Sequence, residues 1–219
     1  IGKFRIIHQE KKRYTFEDYS SQIGNADAAL GIWVHKGVIN EKLFEAHPNL
    51  KYIATLGHGF EDFDVEMTRR RGLTITNTIY GDVTIAQYAM ALLMNICHNV
   101  TVQSDYTKTG YWKEKETNPQ ASYNQLFVPQ IELYQKTMGI IIDEEALLEA
   151  LESRKVYMAG LDVVANEPPQ YQIPLMQSPY TFITSHIAWQ PKAARLRAAD
   201  LAMKNFRSYL EGMPTSVIN

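Results

Sequence analysis

The sequence predicts an α/β fold with a mostly parallel sheet. Short runs rich in β-branched residues alternate with amphipathic helical stretches along the 219 residues. Helix-starting residues such as Asn40 and Asp64 stand just before several of those stretches. The residues best suited to proton chemistry fall at the ends of predicted strands, where sheets of this class place their ligands.

Taken in order, Lys3 to His8 reads as a strand, Phe16 to Ile23 as a helix and Ala28 to Val34 as a strand. Asn40 caps a helix through Ala46, Lys51 to Leu56 is a strand, and Gly57 to Phe60 is a turn. Asp64 begins a helix that stops at Gly72, and Leu73 to Asn77 is the next strand. A long helix from about Val83 to Thr101 carries apolar residues on most faces, which predicts burial, between domains or between subunits. Tyr106 to Leu133 is polar and aromatic, with Pro119 and Pro129 and no period, and reads as a long functional or mobile excursion. Lys136 to Ile142 is then a strand, Asp143 to Arg154 a helix, Val156 to Val163 and Thr181 to Ser185 strands, and Pro191 to Glu211 the closing helix.

A chain that is 45% hydrophobic and 21% charged can bury a sizeable core in one or two domains. Its net charge of −2 gives no broad field for nucleic acid or an anionic membrane, so a small molecule is the expected ligand. No stretch approaches the roughly 18 to 20 apolar residues of a membrane span; the run Ile85 to Cys97 is interrupted by Gln87 and Asn95. The single cysteine, Cys97, forms no intrachain disulfide and reads as core, which points to a cytoplasmic protein. The chain opens on Ile1 without a signal-like segment, and a start without Met suggests a native N-terminus further upstream.

Two stretches read as one site, Leu161 to Pro169 (LDVVANEPP) and Ser185 to Trp189 (SHIAW). His186 can serve as an acid/base because imidazole titrates near neutrality, and Glu167 can orient it and stabilise the imidazolium. The plainer alternatives are a satisfied buried histidine and a solvated loop carboxylate. Gly57-His58-Gly59 directly follows a strand, and two glycines let backbone N–H groups approach an anion, a carboxylate first of all. The same tripeptide also suits a tight turn before a helix. Trp189 either lines a pocket or packs at a hinge. His8, His35 and His47 lack metal-site spacing, and His98 reads as packed or interfacial. His58 with Glu61, Asp62 and Asp64 converges poorly for a divalent ion, and Lys11-Lys12-Arg13 and Arg69-Arg70-Arg71 read as solvated faces.

The segments NLKYIATLGHGFEDFD, RGLTITNT, TIAQYAMALLM, KTMGI, IDEEALLEAL, AGLDVVANEPP and SHIAW together resemble the D-2-hydroxyacid dehydrogenase family, in particular its glycerate dehydrogenase or hydroxypyruvate reductase-like members. The resemblance implies hydride transfer between NAD or NADP and a small 2-oxo or 2-hydroxy acid. It implies His186 as proton donor, Glu167 as its partner, and the N–H groups of Gly57, His58 and Gly59 as carboxylate binders beside Trp189. Asp162, His186, Ala188 and Thr84 would lie near the cofactor, Asp162 by the nicotinamide and Thr84 by the phosphates. Residues 1–82 with 190–219 would form a flavodoxin-like substrate-binding domain, and 83–189 a linker helix with a truncated Rossmann domain. A homodimer built on the long apolar helix is the family expectation.

The chain departs from the family pattern where KTMGI should run on into a G-x-G-x-x-G loop. Ile140-Ile141 instead passes straight to Ile142-Asp143-Glu144, so a gap of about 90 to 100 residues, most of a nucleotide-binding domain, falls near 139–142. The family's Arg-Gly before Asp143 is absent too, with Met138 at the Arg spacing, so bidentate recognition of the substrate carboxylate is lost. The family's opening strand and helix before Ile1 are also expected and not found. Three readings stay open: joined segments of a longer enzyme, a shortened chain that keeps the substrate domain, and a non-catalytic binding or dimerisation module.

Overall fold

A computed structural model gives the structure of the protein and describes residues 5–7, 15–32, 39–60, 64–111, 128–139, 143–167, 169 and 172–219. The chain divides into two compact units, Ile1–Val83 with Trp189–Asn219, and Thr84–Ala188.

In the first unit, β1 (Ala28–Ile32), β2 (Tyr52–Thr55) and β3 (Thr74–Thr76) form a parallel sheet with β2 in the centre. The three helices between residues 15 and 71 each start on a side-chain cap. Thr15 and Asp18 form a reciprocal capping box at α1 (Phe16–Ile23). Asn40 accepts from Leu43 N–H at 3.2 Å to start α2 (Glu41–Ala46), and Asp64 accepts from Met67 N–H at 2.8 Å to start α3 (Val65–Arg70).

Alternation along β2 sends Ile53 to one face, into a core with Tyr19, Ile23, Leu43 and Phe44. It sends Tyr52 and Ala54 to the other, against Ala202 and Phe206 of the closing helix α8 (Lys192–Leu210). Tyr52 stacks on Tyr209 with centroids 4.5 Å apart, and its hydroxyl meets Thr76 Oγ1 at 2.7 Å. Between Leu30 and Ile32 the register with β2 slips, and Gly31 supplies the φ of 92° that the irregularity needs. Residues 216–219 return along β3: Val217 bridges Thr76, Ile218 N–H donates to Ile75 O, and the Asn219 amide bonds Ile75, Thr68 and Leu73.

The second unit holds α4, which runs Asp82–His98 and so begins just before the unit's first residue, and α5 (Val100–Tyr106), which continues into a π-helical turn, Thr107–Tyr111. It also holds α6 (Glu144–Glu152), α7 (Pro174–Gln177), and the parallel strands β4 (Ala159–Leu161) and β5 (Thr181–Ile183). Leu147, Leu151, Ala159 and Leu175 form its core. Gly160 lets β4 pack closely on α4: a Cβ there would stand 3.0 Å from Leu92 Cβ, which would have to give by a few tenths of an ångström.

Four expectations change. The single helix Val83 to Thr101 is broken at Asn99, which adopts a left-handed φ of 50°. Residues 129–131 dock there: Ile131 N–H and Gln130 Nε2 donate to the carbonyls of Cys97 and His98, and Asn99 Nδ2 donates to Pro129 O, so tertiary bonds replace helical ones. Among the described residues that helix is only partly covered, with Thr84, Leu92 and Cys97 of α4 buried and Val83, Ile85, Met90 and Met94 exposed, and burial between subunits stays an expectation. Residues 136–139 of the expected strand Lys136 to Ile142 are irregular, and 140–142 lie outside the described residues. Of Lys3 to His8, residues 5–7 form no strand and the others lie outside the described residues, as do most of the excursion after Tyr111, His35 and the run Lys11-Lys12-Arg13.

Candidate active site

β4 and β5 run side by side, Leu161 opposite Ile183, so the loops that leave them emerge together at their C-terminal ends. Asp162 knits the two. Its carboxylate accepts from Thr184 Oγ1 at 2.5 Å, Ile187 N–H at 3.0 Å and Ala188 N–H at 2.9 Å, and its carbonyl accepts from His186 N–H at 2.8 Å. These bonds hold His186 at a φ of 55°, a left-handed conformation that costs a non-glycine residue about 1–2 kcal/mol.

The turn presents the His186 ring to Glu167, whose Oε2 lies 2.5 Å from Nδ1 while its Oε1 accepts from Val164 N–H at 2.9 Å. A carboxylate only accepts, so Nδ1 carries the proton and Nε2 is the nitrogen left for exchange. Nε2 has no partner among the described residues, and the side chain is 57% exposed. A pair this open contributes under about 1 kcal/mol to stability, so its worth lies in orientation.

The first unit places a different device at the end of β2. The carbonyl of Gly57 accepts from Thr78 N–H at 3.0 Å and Thr55 Oγ1 at 3.3 Å, and that of His58 accepts from Asn77 Nδ2 at 2.7 Å. Asn77 is fixed in turn by Asn205 Nδ2 on its carbonyl at 2.9 Å. With the carbonyls tied inward, the N–H groups of Gly57, His58 and Gly59 donate to no described residue. Neighbouring main-chain N–H groups left open in this way suit an anion. Glu61 and Asp62 lie outside the described residues.

The structure thus brings together His186, Glu167, Asp162 and Ala188, and separately Gly57, His58 and Gly59. Thr84 is buried in the first turn of α4. Trp189 packs with Tyr80, Ala194 and Ala198. His47 is buried, its ring bonded to Ser20 Oγ and Gly24 O. Burial pushes the Cys97 thiol up from its ordinary range, which suits a core position rather than a nucleophile. Among the described residues no group of three His, Cys, Asp or Glu could hold a metal, and no helix is long and apolar enough to cross a membrane. Three residues that hold the sites escape the sequence reading: Thr184 on Asp162, Asn77 on His58, and Glu144, whose Oε1 accepts from Ala165 N–H at 2.5 Å. Parallel register could have found Thr184, because it places residue 184 beside 162; the other two have no local signal.

An imidazole–carboxylate pair at the ends of parallel strands is an arrangement able to exchange a proton. Residues 6–219 match the family described as D-isomer specific 2-hydroxyacid dehydrogenase, catalytic domain. The chain is 26% identical to hydroxypyruvate reductase of Blautia hydrogenotrophica over 302 aligned positions, which cover 98% of this chain and 91% of the relative. It is 38% identical over 82 residues to glycerate dehydrogenase of Methylorubrum extorquens, 36% of this chain and 26% of the relative. Its fold is similar to the crystal structure of an NADPH-dependent glyoxylate/hydroxypyruvate reductase from Sinorhizobium meliloti in complex with citrate, with a TM-score of 0.67, 18% identity and coverage of 91% and 88% of the two chains. The chain belongs to the D-isomer specific 2-hydroxyacid dehydrogenases, oxidoreductases that use NAD or NADP.

The alignment of 302 positions is longer than the chain, so stretches of that relative have no counterpart here. The phosphates of a dinucleotide need main-chain N–H groups on a Gly-rich turn at a helix start. Only Ile140, Ile141 and Ile142 stand between Gly139 and Asp143, and α6 starts on the carboxylate of Asp143, which already takes Ala146 N–H. The carboxylate of Asp162 and the N–H of Ala188 are bonded to each other. The residues present therefore do not fit a whole dinucleotide.

Proposed function

We propose that this chain supplies the proton-transfer and carboxylate-binding parts of a reductase of small 2-oxo acids, hydroxypyruvate or one like it, with D-glycerate chemistry in reverse. His186 gives the proton from Nε2 to the carbonyl oxygen; Glu167 keeps the Nδ1 proton and stabilises the imidazolium as it forms or is consumed. The N–H groups of Gly57, His58 and Gly59 take the carboxylate, the part an arginine at position 138 would have shared. Thr84, Asp162, His186 and Ala188 are assigned to the cofactor side and Trp189 to the substrate side. Residues 1–82 with 190–219 are the substrate-binding domain, and 83–189 the linker helix and remnant of the cofactor domain.

The observation that carries this reading is the short His186–Glu167 bond with Nε2 left open. The test is NADH-dependent reduction of hydroxypyruvate by a form of the protein that carries a Gly-rich segment, with and without His186→Ala. Turnover should fall by about 10²–10⁴-fold with little change in cofactor binding, and undiminished turnover would sink the assignment.

A second reading is favoured by the direct passage from Gly139 to Asp143. The chain as it stands would bind a 2-oxo acid at the Gly57–Gly59 turn and turn over no NADH. We further propose a cytoplasmic homodimer that covers the exposed apolar residues of α4; sedimentation at a single-chain mass would remove that proposal.

A further inference from the structure

We infer that Glu144 is a positioning residue for the proton-transfer pair, acting through the backbone of Ala165 on the carboxylate of Glu167; this rests on the reading of His186 and Glu167 given above. The loop that carries Glu167 has no regular structure, and Val163, Ala165, Asn166 and Glu167 are exposed, so packing cannot set its shape. Hydrogen bonds must. One is internal, Val164 N–H to Glu167 Oε1, and cannot fix the loop against the rest of the unit.

Apart from the His186 contact itself, the described bond that ties residues 163–167 to another element is Ala165 N–H to Glu144 Oε1, at 2.5 Å. Glu144 is well founded. It is the first residue of α6, which Asp143 caps and which is anchored by the buried Leu147 and Leu151. An acceptor on a rigid helix therefore fixes the peptide two residues before Glu167, and with it the direction from which the Glu167 side chain reaches His186 Nδ1. A charged acceptor shortens and strengthens such a bond. Supporting groups of this kind decide whether a site is held or merely present.

A Glu144 carboxylate could also act on His186 by its charge alone, and substitutions separate the two. Glu144→Gln keeps an acceptor oxygen and removes the charge; Glu144→Ala removes both and leaves the Asp143 cap intact. Ala165→Pro removes the donor instead. The readout is the ring-nitrogen chemical shifts of His186 in the ¹⁵N-labelled chain at a pH where the ring is neutral. They report which nitrogen bears the proton, a choice set by the ring's partner.

The expected result is an Nδ1–H ring in the wild type and in Glu144→Gln. Glu144→Ala and Ala165→Pro should lose it in favour of Nε2–H, with helix content unchanged by circular dichroism. An unchanged ring in Glu144→Ala overturns the inference, and so does an equal change in Glu144→Gln, which would make the effect one of charge. Glu167→Ala is the control for the underlying reading. If that variant shifts the ring and Glu144→Ala does not, only the positioning role fails; if Glu167→Ala leaves the ring unchanged, the pair itself falls, and the inference with it.

Discussion

β2 lies between two parallel neighbours with all four residues buried, whereas β5 has β4 as its neighbour and every one of its residues is half-buried. The loops at their ends follow suit. The Gly57–Gly59 turn rises from a strand packed on both faces, and its carbonyls are tied to β3's continuation at Asn77 and Thr78. The loops of Glu167 and His186 are fixed instead by carboxylates that accept main-chain N–H groups. The first unit holds its turn by hydrogen bonds on a fully buried strand, the second holds its loops by hydrogen bonds on half-buried ones. Core substitutions should therefore damage the first, and single polar substitutions should move the second without unfolding it.

The largest effect is expected from Ile53→Ala, which empties a fully buried position and should cost about 2–5 kcal/mol in urea unfolding. A cost under about 1 kcal/mol would mean the sheet can collapse around the void and would break the contrast. Asp162→Asn comes next. An amide can satisfy Thr184 and Ile187 through its oxygen but turns an NH₂ toward Ala188 N–H, a loss of about 1–3 kcal/mol. Amide resonances of residues 184–188 should shift while those of residues 52–55 stay in place.

Smaller still is the response to alkali. Burial raises the pKa values of Tyr52, Tyr80 and Cys97, so the fold favours their neutral forms. The unfolded chain releases these protons first, and stability present at neutral pH is lost as pH rises, from about pH 8.5 for the thiol and about pH 10 for the tyrosines. Tyr52→Phe should flatten only the upper part of that decline, measured as the urea midpoint between neutral pH and the alkaline range. The smallest change is Arg154→Gly. A φ of 60° disfavours Arg, but its guanidinium lies 4.1 Å from the Tyr180 ring centroid and 5.4 Å from that of Tyr157. The relief of about 1 kcal/mol and the lost cation–π contact should nearly cancel in thermal melts.

What could be read from the sequence divides along the same line. The helices that begin on Asn40, Asp64 and Asp143 were legible because a cap is a local signal, two or three residues wide. The approach of Glu167 to His186 was legible because both stand at strand ends in segments of recognisable pattern. The break at Asn99 was not, since the apolar run continues through it and the cause lies with residues 129–131, some thirty positions on. The exposure of α4 escaped for a related reason: composition tells that a face seeks cover and not whether the same chain supplies it. Lys136 to Gly139 has the residues of a strand but no strand paired with it among the described residues. The Glu144–Ala165 bond spans 21 positions through a loop without period, beyond any pattern reading.

The return of residues 216–219 along β3 has a consequence for solubility. β3 is the outer strand of its sheet, and an outer strand with open N–H and C=O groups is a template for a neighbour's chain. Here Val217, Ile218 and Asn219 occupy that template from within, Asn219 reaching Ile75, Thr68 and Leu73 at once. Removing these few residues would leave the contacts of His186, Glu167 and the Gly57–Gly59 turn in place, yet it would bare the edge to strand addition, and the variant should precipitate at concentrations the present chain tolerates.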